Sequence, residues 1–206
     1  MSTFLQSILA GISISLGGTV FLMCENKITG AIFFTVGLFC VCVFGFSLFT
    51  GKVCYVFDND WRYALRLPLI WLGNLLGALF TGMLLLQTRL GPALLEKAGD
   101  VCRTKLSQEY LSAFILAFFC DIMIYIAVEG YKNIPHEVGK YLALFFGVTV
   151  FVICGFEHCV ANMFYFTVGE AWNLEAVIYL VVMTVGNAIG GVFLPLMRRF
   201  AAKTGA

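Results

Sequence analysis

The sequence predicts an all-α membrane protein of six transmembrane helices, built as two inverted three-helix repeats with broken helices 2 and 5. Three observations predict it. Of 206 residues, 61% are hydrophobic and 12% charged, against roughly half and a quarter in soluble domains, so the solvent for this fold is lipid. Six apolar runs, at about 4–24, 29–57, 66–88, 107–128, 138–166 and 174–197, are each long enough to cross a bilayer, which takes about 20 residues. Two of these runs carry matching interruptions, Gly45-Phe46-Ser47-Leu48-Phe49-Thr50-Gly51 and Gly155-Phe156-Glu157-His158. Interrupted helices at corresponding places in two halves point to a pathway between them.

The first run has no basic segment before it and no small-residue cleavage site leading into a soluble chain, so it reads as a retained helix and not a removable signal peptide. The second places Phe34 and Leu38 four apart on one face before its break. The third carries Gly73-Asn74-x-x-Gly77, two small residues on one face that let helices approach closely in lipid. The segment 89–106 mixes Arg89, Glu96, Lys97, Asp100, Arg103 and Lys105, the pattern of a solvated extramembrane stretch. Lys105, at the entrance to the fourth span, is singled out as a cation that concentrates anions at a pore mouth. The fourth span holds Asp121, the fifth holds Phe151, Glu157, His158 and Asn162, and the sixth holds Gly186-Asn187-x-x-Gly190-Gly191.

These elements form one transmembrane domain over 1–206, with repeat one at about 1–88 and repeat two at about 107–200. The two glycine motifs each carry an Asn after the first Gly and a Phe three beyond the second, and their offset differs by three residues from that of the two breaks. Three spans per repeat force the second repeat to enter from the opposite side, so the pseudo-twofold axis lies in the membrane plane and the breaks meet near its middle. Backbone groups freed there must line a cavity or be buried in protein. Seven cations (Arg62, Arg66, Lys132, Lys140, Arg198, Arg199 and Lys203) share the side of the termini, against Lys27, Arg89, Lys97, Arg103 and Lys105 opposite. The positive-inside rule then makes both termini cytoplasmic, in a multi-pass protein of the plasma membrane.

Facing breaks turn Phe34, Leu38, Leu48, Phe49 and Phe151 into two apolar constrictions on either side of His158. A dry constriction stalls a bare ion and passes a small neutral molecule. An imidazole between such walls suits weak acids, whose proton and anion recombine inside. Thr50 offers a hydroxyl that donates to an anion or accepts from an acid. Asn162, four residues after His158, either steadies the helix or reaches the lining. Glu157 cannot share the helical face of His158 and is expected to tie down freed backbone amides of the opposite break.

Read together, Leu48-Phe49-Thr50-Gly51, Gly73-Asn74-x-x-Gly77-Ala78, Gly155-Phe156-Glu157-His158 with Ala161-Asn162-Met163-Phe164, and Gly186-Asn187-x-x-Gly190-Gly191 resemble the formate/nitrite transporter family over nearly the whole chain. The resemblance implies an aquaporin-like protomer and a homopentamer with one pore per protomer. It also implies small monovalent anions or their acids as substrate: formate, nitrite, hydrosulfide, acetate or lactate, with proton coupling in many members. It assigns the two constrictions to Phe34, Leu38, Leu48, Phe49 and Phe151, the central polar pair to Thr50 and His158, and the vestibule cation to Lys105. Two residues depart from the family pattern: Asp121 stands where an Asn is usual, and Lys52 where a small polar residue is usual. Either Asp121 and Lys52 pair within or beside the pore, or Lys52 reaches the membrane surface and Asp121 is protonated.

The sequence excludes several classes. No phosphate-binding glycine loop, nucleotide motif or nucleophile elbow is present, and neither a cofactor nor nucleic acid is expected. Glu157, His158 and Cys159 are adjacent, so their side chains splay around a helix and do not converge on a metal. His136 has no partner at ligand spacing. Two other readings stay open: a neutral-solute channel of the same fold, and an intramembrane thiol oxidoreductase built on Cys40, Cys42, Cys154 and Cys159 with His158.

Overall fold

A computed structural model describes residues 2–204. Ten α-helices follow one another among these residues: α1 (Thr3–Met23), α2 (Lys27–Phe44), α3 (Phe49–Val53), α4 (Trp61–Ala64), α5 (Leu67–Leu86), α6 (Gly91–Leu106), α7 (Tyr110–Asn133), α8 (Glu137–Cys154), α9 (Cys159–Val168) and α10 (Leu174–Thr204). Six stretches are long and apolar enough to cross a membrane: α1, α2, Trp61–Leu86, α7, α8 and α10. The runs read as single broken spans at 29–57 and 138–166 resolve into α2 with α3 and α8 with α9. Outward-facing Phe33, Phe80, Phe146 and Val181 are exposed on the chain alone, the surface expected of a lipid or subunit boundary.

Each break has the same local cause. α2 ends at Gly45 and α8 at Gly155, both left-handed, with φ of 68° and 70°. Only glycine adopts that conformation without a Cβ penalty. The following N–H groups turn back onto the helix, Phe46 to the Val41 carbonyl at 2.9 Å and Phe156 to the Phe151 carbonyl at 3.0 Å, the 6→1 bond of a Schellman stop. The chain then runs extended and re-enters a short helix, with Leu48 before α3 and His158 before α9.

The glycine motifs bring the flanking helices together. A Cβ on Gly77 would collide with the Ile8 carbonyl of α1, and one on Gly190 with the Phe118 carbonyl of α7. Helices α1 and α5 therefore pack backbone to backbone in one half, as α7 and α10 do in the other. One element departs from expectation. The charged segment 89–106 is a helix, α6, whose Leu94, Ala98 and Cys102 recur every fourth residue and are buried. It lies against α9, where the Cys102 thiol donates to the Tyr165 carbonyl at 3.3 Å. Burial pushes that thiol up to about 12.

Candidate functional site

The freed backbone at each break is held by an asparagine from the glycine motif. Asn74 accepts from the Phe49 N–H at 2.8 Å and donates to the carbonyls of Ser47 (3.0 Å) and Ser7 (2.7 Å). Asn187 accepts from the Cys159 N–H at 2.8 Å and donates to the carbonyls of Glu157 and Ala117, each at 2.8 Å. Both amides are fully buried. Each one satisfies the first N–H of a short helix together with two carbonyls that lipid or packed side chains could not serve.

This arrangement corrects the role expected of Glu157. Its carboxylate does not hold the opposite backbone, because Asn74 does. Instead it accepts from Lys105 Nζ, from Gln108 Nε2 at 2.8 Å and from Asn162 Nδ2 at 2.8 Å. Glu157 is 2% and Lys105 13% exposed in this pair. Lys105 thus stands at the wall of a cavity, paired with Glu157. Asn162 steadies the Glu157 side chain, and its own Oδ1 is left without a partner.

At the centre, His158 Nε2 lies 3.0 Å from Thr50 Oγ1, and its Nδ1 accepts from the Ala161 N–H at 3.1 Å. A nitrogen that accepts a backbone N–H has its lone pair free, so the ring proton of the neutral tautomer sits on Nε2 and donates to Thr50. The ring stacks on Phe151 (centroids 5.7 Å apart, planes at 18°), and Phe151 meets Phe34 edge-on at 5.8 Å.

Two cavities approach this centre. The larger, about 340 Å³, includes Phe34, Phe151, His158, Lys105, Glu157 and Asn162 in its lining. The smaller, about 130 Å³, includes Leu38, Leu48, Cys42, Lys52, Tyr131 and Lys132. Their linings share no residue. Lys27, at the start of α2, belongs to the first and Gly45, at its end, to the second, so the cavities open toward opposite ends of that helix. Phe34 faces the first and Leu38 the second; one helical turn, about 6 Å, separates them along α2. Thr50 is fully buried within this partition. Phe49 lines neither cavity; its side chain is packed away at 7% exposure.

Asp121 departs furthest from expectation. Its carboxyl is fully buried and has no hydrogen-bond partner, so it pairs with neither His158 nor Lys52, and it lines neither cavity. It sits where Gly191 of α10 leaves room, in the space a Cβ there would share with Cys54 and Val53. Of the two alternatives the sequence leaves open, the Asp121–Lys52 pair is therefore absent, and Lys52 faces the smaller cavity. No group of His, Cys, Asp or Glu able to hold a metal occurs among the described residues. Cys40 and Cys42, two apart on α2, point to different sides of the helix and cannot work as a dithiol.

The chain as a whole is similar to known transporters and channels. The family model described as formate/nitrite transporter matches residues 1–200. The uncharacterized transporter YrhG of Bacillus subtilis is 32% identical over 182 residues, covering 81% of this chain and 68% of its own. A probable formate transporter of Methanothermobacter thermautotrophicus is 32% identical, covering 79% and 69%. The formate channel FocB of Escherichia coli is 27% identical, covering 80% and 65%. The chain thus spans about two thirds of the length of these relatives. A solved pentameric formate channel with formate bound superposes with a TM-score of 0.82 at 25% identity, covering 98% of this chain and 96% of that one.

Proposed function

This chain belongs to the formate/nitrite transporter family, a family of channels and transporters and not of enzymes, and from that premise we propose that it is a channel for small monovalent anions and their conjugate acids. Formate, nitrite, hydrosulfide, acetate and lactate are the class. The observation that carries this reading is the pair of cavities approaching from opposite ends of α2, separated by about one helical turn in which Thr50 and His158 are hydrogen-bonded.

Phe34 and Phe151 form the constriction on one side of the pair, and Leu38 with Leu48 the constriction on the other. A bare anion loses its hydration at these apolar walls, whereas the protonated acid crosses at modest cost. His158, carrying its proton on Nε2, offers the only ring N–H in the partition, and Thr50 both accepts it and can donate to substrate oxygen. The protein works as a homopentamer in the plasma membrane with both termini cytoplasmic, a reading supported by the pentameric formate channel it superposes on and by the excess of cations on the side of the termini.

A neutral-solute channel is the second reading, and the wholly apolar side chains flanking the pair favour it. Uptake of labelled formate into proteoliposomes, with anion currents recorded across planar bilayers, separates the two. Protein-dependent formate flux supports the first; water or glycerol flux without formate flux supports the second.

A further inference from the structure

The two cavities differ in charge. The larger cavity sets Lys27 and Lys105 against Glu157, whose carboxylate is bonded to Lys105. The smaller is lined by Lys52 and Lys132 and by no carboxylate. Neither of these lysines takes part in an ion pair among the described residues. Glu129 is bonded elsewhere: it accepts from Tyr55 Oη at 2.9 Å and from Arg198 at 3.1 Å. Asp58 is likewise taken by Arg199. Lys132 Nζ rests over the Tyr55 ring, 3.7 Å from its centroid, a contact that positions the ammonium without neutralising it. The Lys52 backbone is anchored through its carbonyl, which accepts from Tyr63 Oη at 2.8 Å.

We infer that Lys52 and Lys132 form an anion-collecting site in the smaller cavity, at the end of the pathway opposite Lys105, which takes a small monovalent anion before it meets Leu38 and Leu48. The inference rests on the channel reading for its purpose, though not for its test. Two lysine charges outside any ion pair among the described residues, within a Debye length of one small space, raise the local concentration of anions and lower that of cations. At the other end the same service is curtailed, because Glu157 cancels Lys105. An anion held between the lysines lies in the same cavity as Leu38 and Leu48, the apolar side chains it meets next.

Cys42 lines the same cavity and serves as the reporter. With Cys24→Ser, Cys40→Ser and Cys154→Ser removing the other thiols that are not buried, Cys42 is labelled by anionic sulfonatoethyl methanethiosulfonate and by cationic trimethylammonioethyl methanethiosulfonate, and site occupancy is read by mass spectrometry. Both reagents need the thiolate, so their rate ratio reports the potential and not the reactivity of the thiol. The ratio is expected to favour the anionic reagent and to fall roughly tenfold in Lys52→Gln/Lys132→Gln at low salt, as two charges about 10 Å away in a watery space require. Raising the salt should narrow the difference, and Lys52→Arg/Lys132→Arg should preserve it. A ratio unchanged by the double Gln substitution, or a Cys42 that neither reagent reaches, overturns the site. Labelling does not depend on flux, so a protein that collects anions here yet transports no formate would refute the channel and leave this site standing.

Discussion

Leu48 and His158 occupy the same station in the two halves of the molecule: each follows a left-handed glycine by three residues and immediately precedes a short helix. Beside each, an asparagine binds the first helical N–H and the carbonyl of the residue before the station. Repeat symmetry thus fixes the backbone, and the side chains break it. One half presents an apolar wall and the other an imidazole, and a hydroxyl two residues beyond Leu48 meets that imidazole at 3.0 Å.

Asn74→Ala and Asn187→Ala should destabilise the protein by similar amounts. Each removes three hydrogen bonds from fully buried backbone groups, a loss of about 3–5 kcal/mol when unsatisfied partners stay behind. Thermal unfolding in detergent checks it; a large loss at one position with none at the other would contradict the shared role.

Thr50→Val keeps the volume and deletes the partner of His158 Nε2. Formate uptake should fall at least tenfold while melting and oligomer size stay close to wild type. Thr50→Ser, which keeps the hydroxyl, should restore most of the flux. Full activity in the valine variant would show that the bond has no part in transport.

Lys105→Ala leaves a carboxylate with 2% exposure unpaired, and Glu157→Gln leaves an ammonium with 13% exposure unpaired. Breaking a buried pair from one side costs about 3–5 kcal/mol, so the losses of the two single variants should add to clearly more than the loss of the double variant Lys105→Ala/Glu157→Gln. A double-mutant cycle on unfolding free energies measures the coupling. Additive effects would mean the contact carries no energy.

Asp121→Asn should leave the pH profile of transport where it is, since the carboxyl touches neither His158 nor a cavity. Stability should hold or rise, because a buried group without a partner costs less as an amide than as an ionisable acid. A profile shifted by this substitution would place the carboxyl in electrical contact with the imidazole.

Much of this was legible in the sequence, for identifiable reasons. Spans follow from the length of the apolar runs, and the breaks from Gly45 and Gly155, whose backbone angles only glycine tolerates cheaply. The mirrored Gly-Asn-x-x-Gly motifs correctly signalled close helix approach. In sequence their asparagines mark the repeat, and an amide in a motif that recurs beside each break is also the signal that it serves the freed backbone. The partners of Glu157, Lys105 and Gln108, lie 52 and 49 residues away, and no local pattern announces such a pairing. Helix α6 was hidden by its charges, while Leu94, Ala98 and Cys102 at every fourth position carried its buried face. Phe49, next to Leu48 in sequence, was expected in the constriction; helical rotation turns it into the packing instead, and only its backbone N–H serves the site.

The claim that substrate crosses the thin partition between the cavities is tested most directly by labelled formate uptake into proteoliposomes carrying either the wild-type chain or Leu38→Trp. Wild type should accelerate uptake well above protein-free vesicles. The indole, filling the smaller cavity where Leu38 and Leu48 line it, should reduce uptake to near the protein-free rate while the variant still elutes as the same oligomer. Uptake undiminished by the tryptophan would contradict the account, because the path would then lie elsewhere in the molecule.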